Sequence, residues 1–409
     1  MMVPWLSMLV RAHVATVGLV GMALGCGART DPLLDKPGAE QCQSTPPTCI
    51  ALGFGCDPAE VVSATCNEST HAWICPSGSQ VYARAPASSA SCLPFRQAQG
   101  LGSLGDWGLG SLARVPTDDG RCLWIADSAT LSDGSTARNV AFDVDRSAPF
   151  GTCPSDSVMQ PTPVVILEGG DDPSILVQID GGYRLAGQTH VIYRLFRYDS
   201  TAVFGVTEIG GGVAHWDPGL QRIVVPSPSQ PFPWGTDLDL GDAMLGTDDD
   251  PAHAFVWGCG LPGDFLKQSC RLARLDSADT VELFSRSGDW IASVRATDGP
   301  SVFESGRWTS SVIQTPGGFR HVYIADFGGE LLSQVATSVT GTWTESPSLG
   351  ACDLPTGDAH AMCAGPIAHM EIADPTRPGE IPIAYGLGTT GAPLADADAY
   401  WTRLVWLQP

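Results

Sequence analysis

Thirteen cysteines and a set of carboxylates set beside glycines are the residues of this chain that could do chemistry. Cysteine thiols can be acylated, oxidised in pairs or deprotonated onto a metal. Six of them crowd together (Cys42, Cys49, Cys56, Cys66, Cys75 and Cys92), and six more are near neighbours along the chain. The spacing predicts bridges Cys122–Cys153, Cys259–Cys270 and Cys352–Cys363, and it leaves fifteen possible connectivities among the first six. A thiolate metal centre does not fit, because no C-x-x-C pair occurs and no histidine is spaced to complete a zinc site. The acidic runs Asp171-Asp172 and Asp248-Asp249-Asp250 offer hard oxygen ligands that could hold calcium. They lack the spaced Asp-x-Asp-x-Asp-Gly loop and serve equally as solvated turns, so no cofactor is implied.

The thirteenth cysteine, Cys26, follows Arg11, His13 and an apolar run ending Leu19-Val20-Gly21-Met22-Ala23-Leu24-Gly25. An apolar core of about a dozen residues is too short for a membrane span of roughly 20 and fits a cleaved export signal. Ala23-Leu24-Gly25-Cys26 resembles the lipobox of bacterial lipoproteins, with the usual residue order altered. The resemblance implies that residues 1–25 are a signal peptide and that Cys26 carries a diacylglycerol. The alternative is an ordinary signal cut elsewhere. Either way the chain is exported, where an even number of remaining cysteines favours disulfides.

Removing Arg11 with the signal leaves 21 basic against 44 acidic residues, a charge of −23. Such a surface repels phosphate backbones and anionic headgroups, which excludes nucleic acid as a partner and leaves the lipid as the sole membrane attachment. The expected location is the cell envelope, as an outer-membrane lipoprotein or an extracellular protein, and the expected state is a monomer.

Positioning these residues falls to short strands. Residues 26–41 have the polar, Pro/Gly character of a tether, and residues 42–95 form a cysteine-rich module. Its apolar runs, such as Val61-Val62 and Trp73-Ile74, are too small for a core, so disulfides must supply stability. From residue 96 to 409, runs of four to eight residues recur between Gly/Pro/Asp turns, among them His190–Phe196, His253–Trp257, Arg320–Ala325 and Arg403–Leu407. No window supports a long amphipathic helix. Three similar cycles, beginning near Asp242, Ser311 and Ala368, divide this region into roughly five blades, which makes it an all-β, five-bladed β-propeller rather than a pair of sandwiches.

The carrying segments are Leu240-Gly-Asp-Ala-Met-Leu with Phe255-Val-Trp-Gly-Cys, Cys270-Arg-Leu-Ala-Arg-Leu with Ser287-Gly-Asp-Trp290, and Ser310-Ser-Val-Ile with Gly318-Phe. With Thr342-Trp343, Gly365-Pro-Ile-Ala-His369 and Tyr400-Trp-Thr-Arg403, they resemble a family of bacterial exported five-bladed propellers, the domain of unknown function 4185 type. That family is similar to glycoside-hydrolase propellers. The resemblance spans roughly residues 96–409 and informs fold more than activity.

It implies that inner strands of different blades supply two carboxyl groups, one acid and one base or nucleophile, flanking a glycosidic bond. Asp106 and Asp242 stand at such positions, and Glu304 could be the acid. His369, Ser310 and Arg307 are the candidate substrate-binding residues, with Ser311 and Glu371 beside them. The structural alternatives are turn chemistry for the Gly-flanked aspartates, a solvated loop for Glu304, and blade closure by His369 through a backbone hydrogen bond. No G-x-S-x-G elbow, Walker loop or H-E-x-x-H motif occurs, and Gly210-Gly-Gly212 reads as a tight blade turn. The expected function is binding or hydrolysis of an extracellular polysaccharide or surface glycan. The alternative is a non-catalytic recognition or scaffold propeller.

Overall fold

The computed structural model describes residues 42, 45–67, 69–82, 91–96, 112–130, 136–143, 162–163, 165–167, 175–201, 206–225, 234, 238, 240–246, 250–260, 268–305, 310–324, 329–354, 361–377, 379–389 and 401–407. These build a five-bladed β-propeller preceded by a small disulfide-bonded module. The five innermost strands are Leu112–Pro116, Ile175–Leu185, Leu240–Gly246, Ser311–Thr315 and Ala361–Ala368. Each neighbours the next, and the last neighbours the first, so they ring a central axis.

Alternation along the strands explains why the blades stack. Successive side chains of a strand point to opposite faces, so each blade offers one apolar face to each neighbour. Ala113 and Val115 pack against blade two, with Val177, Ile179 and Trp216. Leu112 and Trp124 face the other way, toward Ile372, Ala384 and Leu404 of blade five. Three further clusters fill the remaining gaps, around Val213 and Val256, Trp257 and Trp343, and Val322 and Tyr385. The core is thus five wedges between blades.

Closure of the ring is by chain exchange. Blade five takes three strands from the C-terminal region, Ala361–Ala368, Ile381–Thr389 and Trp401–Leu407, and its outer strand from Ser91–Arg96. Residues 91–95, which the sequence places in the cysteine-rich module, therefore pair within a propeller blade. The third cycle, which begins near Ala368 in the sequence, opens instead on the end of the strand Ala361–Ala368, followed by a short 3-10 turn at Met370–Ile372. Gly210 to Gly212 lie within the long strand Val206–Asp217, opposite Leu195, Arg194 and Tyr193, rather than in a turn.

The module is held by Cys42–Cys66 and Cys49–Cys75. Its apolar side chains are largely solvated, with Val61 53 % and Ile74 45 % exposed, so cross-links replace a core as expected. Cys122 bonds Cys56, not Cys153, and so ties the module to the first blade. Proximity in sequence misled here because the module folds back on the blade. The Gly55 N–H donates to Gly120 O at 3.0 Å, and Arg184 of blade two stacks over Phe54. The bridges Cys259–Cys270 and Cys352–Cys363 are present, the first joining directly opposed residues of adjacent strands.

Candidate functional site at the propeller axis

Three of the inner strands are irregular at the axis. Strand Ile175–Leu185 slips register between Ile179 and Gly181, leaving Asp180 as the extra residue. Strand Leu240–Gly246 slips between Leu240 and Ala243, leaving Gly241 and Asp242. Strand Ala361–Ala368 slips between Ala364 and Ile367. A bulge re-aims the side chain it carries, and here two bulges turn aspartates onto one guanidinium. Gly241 has φ +124°, and a Cβ there would sit 2.8 Å from Asp180 Oδ2 and from Ile192 Cγ2, so glycine is required.

The guanidinium belongs to Arg194, on the second strand of blade two. Its Nε and Nη2 donate to Asp180 Oδ2 and Oδ1 at 2.8 and 2.7 Å, and its Nη1 donates to Asp242 Oδ1 at 3.3 Å. Asp180 also accepts from Gln178 Nε2 at 2.9 Å, and Asp242 Oδ2 accepts from the Cys259 N–H at 2.9 Å. All three charged groups are buried. Burial alone would drive the proton off Arg194; Asp180 and Asp242 outweigh it and hold the guanidinium charged.

A third carboxylate, Glu371, is fixed in blade five. It accepts from Trp124 Nε1 at 2.8 Å and from Arg114 Nη1 at 3.3 Å, and it meets His369 Nδ1 at 2.7 Å. Burial lowers the pKa of His369, so its ring is neutral and donates through Nδ1–H. Burial opposes ionisation of Glu371, but the His369 contact and the Arg114 charge overcome it and keep the carboxylate ionised. His369 lies against Trp124 with ring centroids 3.9 Å apart.

Above the Asp180 bulge is a cavity of about 30 Å³, with room for about two waters. Arg114, Asp180, Gly241, Ser310 and Ser311 line it. Arg114 is the charged group most open to it, its side chain 22 % exposed. The Ser310 hydroxyl donates to Asp242 O at 3.2 Å and accepts from His321 Nε2 at 2.9 Å. Burial pushes His321 down to about 3, so it too is neutral. Ser311 Oγ receives the Ala368 N–H at 2.8 Å, joining blades four and five.

Of the residues expected from sequence, Asp242 and Ser310 meet at this axis. Asp106 and Arg307 lie outside the described residues, as do Cys26, Cys153, Asp171, Asp172, Asp248 and Asp249. Glu304 does not join Asp242. It is exposed, on the strand Phe303–Ser305 that pairs with Gln268–Leu275. Three strand spacings of about 4.8 Å put it roughly 14 Å across the sheet, beyond the roughly 10 Å a carboxylate pair requires. His369 is fully buried and its N–H donates to Pro382 O at 2.8 Å, so it closes a blade and positions Glu371 instead of meeting ligand. Sequence reasoning missed Asp180, Arg194 and Arg114. The signal for Asp180 was present in Asp180-Gly-Gly182, which matches Gly241-Asp242 as an aspartate beside glycine in a strand-like run.

No family model matches the chain, and no curated protein matches it. Among solved structures, it is similar to a Bacteroides ovatus protein assigned as a hydrolase, at 13 % identity and TM-score 0.51, over 79 % of this chain and 95 % of that one. It is also similar to the GH43_1 enzyme of Xanthomonas citri, at 12 % identity and TM-score 0.43, over 78 % and 89 % of the two chains. A thermostable family-43 glycoside hydrolase follows at 9 % identity and TM-score 0.40, over 76 % and 91 %. The likeness is one of fold alone.

Proposed function

We propose that this protein is a glycan-recognition propeller, held at the cell surface by a diacylglycerol on Cys26, that binds an extracellular polysaccharide across the mouth of the axial cavity. The small volume of that cavity admits a sugar hydroxyl and not a ring. The observation that carries the reading is the capture of Asp180 and Asp242 by Arg194. Hydrolysis needs one carboxyl group protonated at the start of the reaction, and an adjacent guanidinium favours the ionised form of both. Glu371 is likewise held ionised by its partners. What the cavity lining offers instead is the Arg114 guanidinium as donor, with the oxygens of Asp180, Ser310 and Ser311 as acceptors, a set suited to sugar hydroxyls. Hydrolysis is the second reading, favoured by the single fact that Asp180 reaches the cavity wall.

A glycan array probed with the full chain and with Arg114→Met tests this. Binding to a defined glycan class, weakened about tenfold or more by Arg114→Met, supports the reading (a charged hydrogen bond is worth about 1.5–3 kcal/mol). Binding that is unchanged in the variant places recognition elsewhere and refutes the axial site. The anchor is tested separately, by mass spectrometry of the N-terminal peptide from detergent extracts. A diacylglyceryl group on Cys26 is expected, and its absence from a membrane-free protein refutes anchoring.

A further inference from the structure

We propose that His190, His215 and Asp279 form a divalent transition-metal site, best suited to zinc, that joins blades two and three away from the axis. The two histidines are directly opposed on neighbouring antiparallel strands of blade two, in register His190 to His215. Residues opposed in this way hold their Cβ atoms about 4.5–5.5 Å apart, which converges two imidazoles on one point. Asp279 comes from blade three, at the turn between strands Gln268–Leu275 and Val281–Phe284. Its backbone has φ +62°, a left-handed conformation that presents the carboxylate to the pair.

The three side chains already converge on one point. His190 Nδ1 is 2.7 Å from Asp279 Oδ1, and His215 Nε2 is 3.0 Å from Asp279 Oδ2, with the three ligand atoms within 4.8 Å of one another. A tetrahedral ion with bonds of about 2.0–2.1 Å needs ligand atoms roughly 3.3 Å apart, so the closest pair must open and the widest, within 4.8 Å, must close by up to about 1.5 Å as the partly exposed His215 and Asp279 side chains turn. Two imidazoles and one carboxylate suit zinc better than calcium or magnesium, which take oxygen ligands.

Surroundings complete the argument. His190 is fully buried, stacked against Tyr183 with ring planes 1° apart, and its orientation is fixed by packing. His215 and Asp279 are each 27 % exposed, which leaves a solvent-facing position for a fourth ligand such as water. Gln188 contacts His215 Nδ1 at 3.2 Å and, with its amide turned, would accept the Nδ1 proton and free Nε2 to ligate. Metal entry leaves His190 protonated on Nε2 and His215 on Nδ1, both rings neutral, so the site gains two charges from the ion and keeps one negative charge from Asp279. His190 lies four residues from Arg194 on one strand, roughly 13 Å away at 3.3 Å per residue, so this cluster is separate from the axial network. The site stands independently of the glycan reading.

The test uses untagged full-length protein, stripped with chelator and titrated with Zn²⁺ by calorimetry, beside His215→Gln and Asp279→Asn. Asparagine keeps the left-handed backbone that Asp279 adopts, and both replaced side chains are partly exposed, so the variants should fold. One zinc per chain is expected, with affinity lowered more than about tenfold in each variant, the least that loss of a ligand should cost. Wild-type protein loaded with Co²⁺ should show the intense visible bands of a low-coordinate histidine site, a readout that needs no variant. Absence of zinc uptake and of the cobalt bands overturns the proposal and leaves a His–Asp–His hydrogen-bonded staple. Uptake unchanged in both variants overturns it as well.

Discussion

Replacing Arg194 with methionine should destabilise the propeller at neutral pH and make that loss depend on acid. The substitution keeps a long apolar stem but removes three hydrogen bonds, two to Asp180 and one to Asp242. Two buried carboxylates are then left without their shared cation. Gln178 and the Cys259 N–H still donate to them, but neither carries charge. Removing one partner of a buried ion pair costs about 3–5 kcal/mol, because the stranded charge remains desolvated. The stranded aspartates should acquire folded-state pKa values well above the unfolded value of about 3.9. A group raised in this way stabilises the fold below its unfolded pKa and loses that contribution as pH rises through the folded one. The deficit of Arg194→Met should therefore be largest at pH 7 and shrink toward about pH 4.5, where protonation relieves the buried charges. Urea unfolding followed by tryptophan fluorescence at both pH values measures it. Adding Asp180→Asn and Asp242→Asn to Arg194→Met should restore more than half of the loss. A deficit below about 1 kcal/mol, or one that grows on acidification, would refute the buried-network reasoning, since exposed pairs contribute only that much.

Other expectations follow from individual contacts. Gly241→Ala should cost about 1–3 kcal/mol in thermal unfolding, since a Cβ there meets Asp180 Oδ2 and Ile192 at 2.8 Å with φ at +124°; a neutral result would mean the bulge relaxes freely. Serine at both Cys56 and Cys122 should lower stability by about 4 kcal/mol on loop-closure reasoning for a 66-residue separation, and non-reducing peptide mapping of the wild type should recover the Cys56–Cys122 pair. His321 has its folded pKa depressed by burial to about 3 from 6.5, so its contribution is complete above 6.5 and is lost as pH falls toward 3. His321→Gln should flatten the stability profile across that window by up to one proton, and an unchanged slope there would show that His321 titrates normally.

Much of the architecture was legible because strand periodicity is local. The apolar runs Ala254–Trp257 and Leu404–Leu407 read as short, β-rich segments, and both fall within strands of the fold, the first buried at every position as a central blade strand is. The Cys259–Cys270 pair was legible for the same reason, as a short hairpin brings those residues opposite one another. Cys122 was not, because its partner Cys56 arrives from a module that docks on the blade, a contact without any sequence period. The axial site was half legible. Asp242 stood out beside Gly241, but aspartate next to glycine is also the commonest turn signal, and only the register slip shows a bulge instead. Arg194 sits within the apolar run His190–Phe196, where nothing local distinguishes it from an outward-facing arginine. The cross-strand pairing of His190 with His215 likewise emerges only once the register is known.

The most direct test of the account incubates full-length protein with an array-selected glycan and follows reducing-end release by mass spectrometry. The account predicts stoichiometric binding of an intact glycan, with Arg114→Met weakening it and no product accumulating over many equivalents of ligand. Catalytic release of shortened sugar that disappears in Asp180→Asn or Asp242→Asn would contradict it and make the axial aspartates hydrolytic.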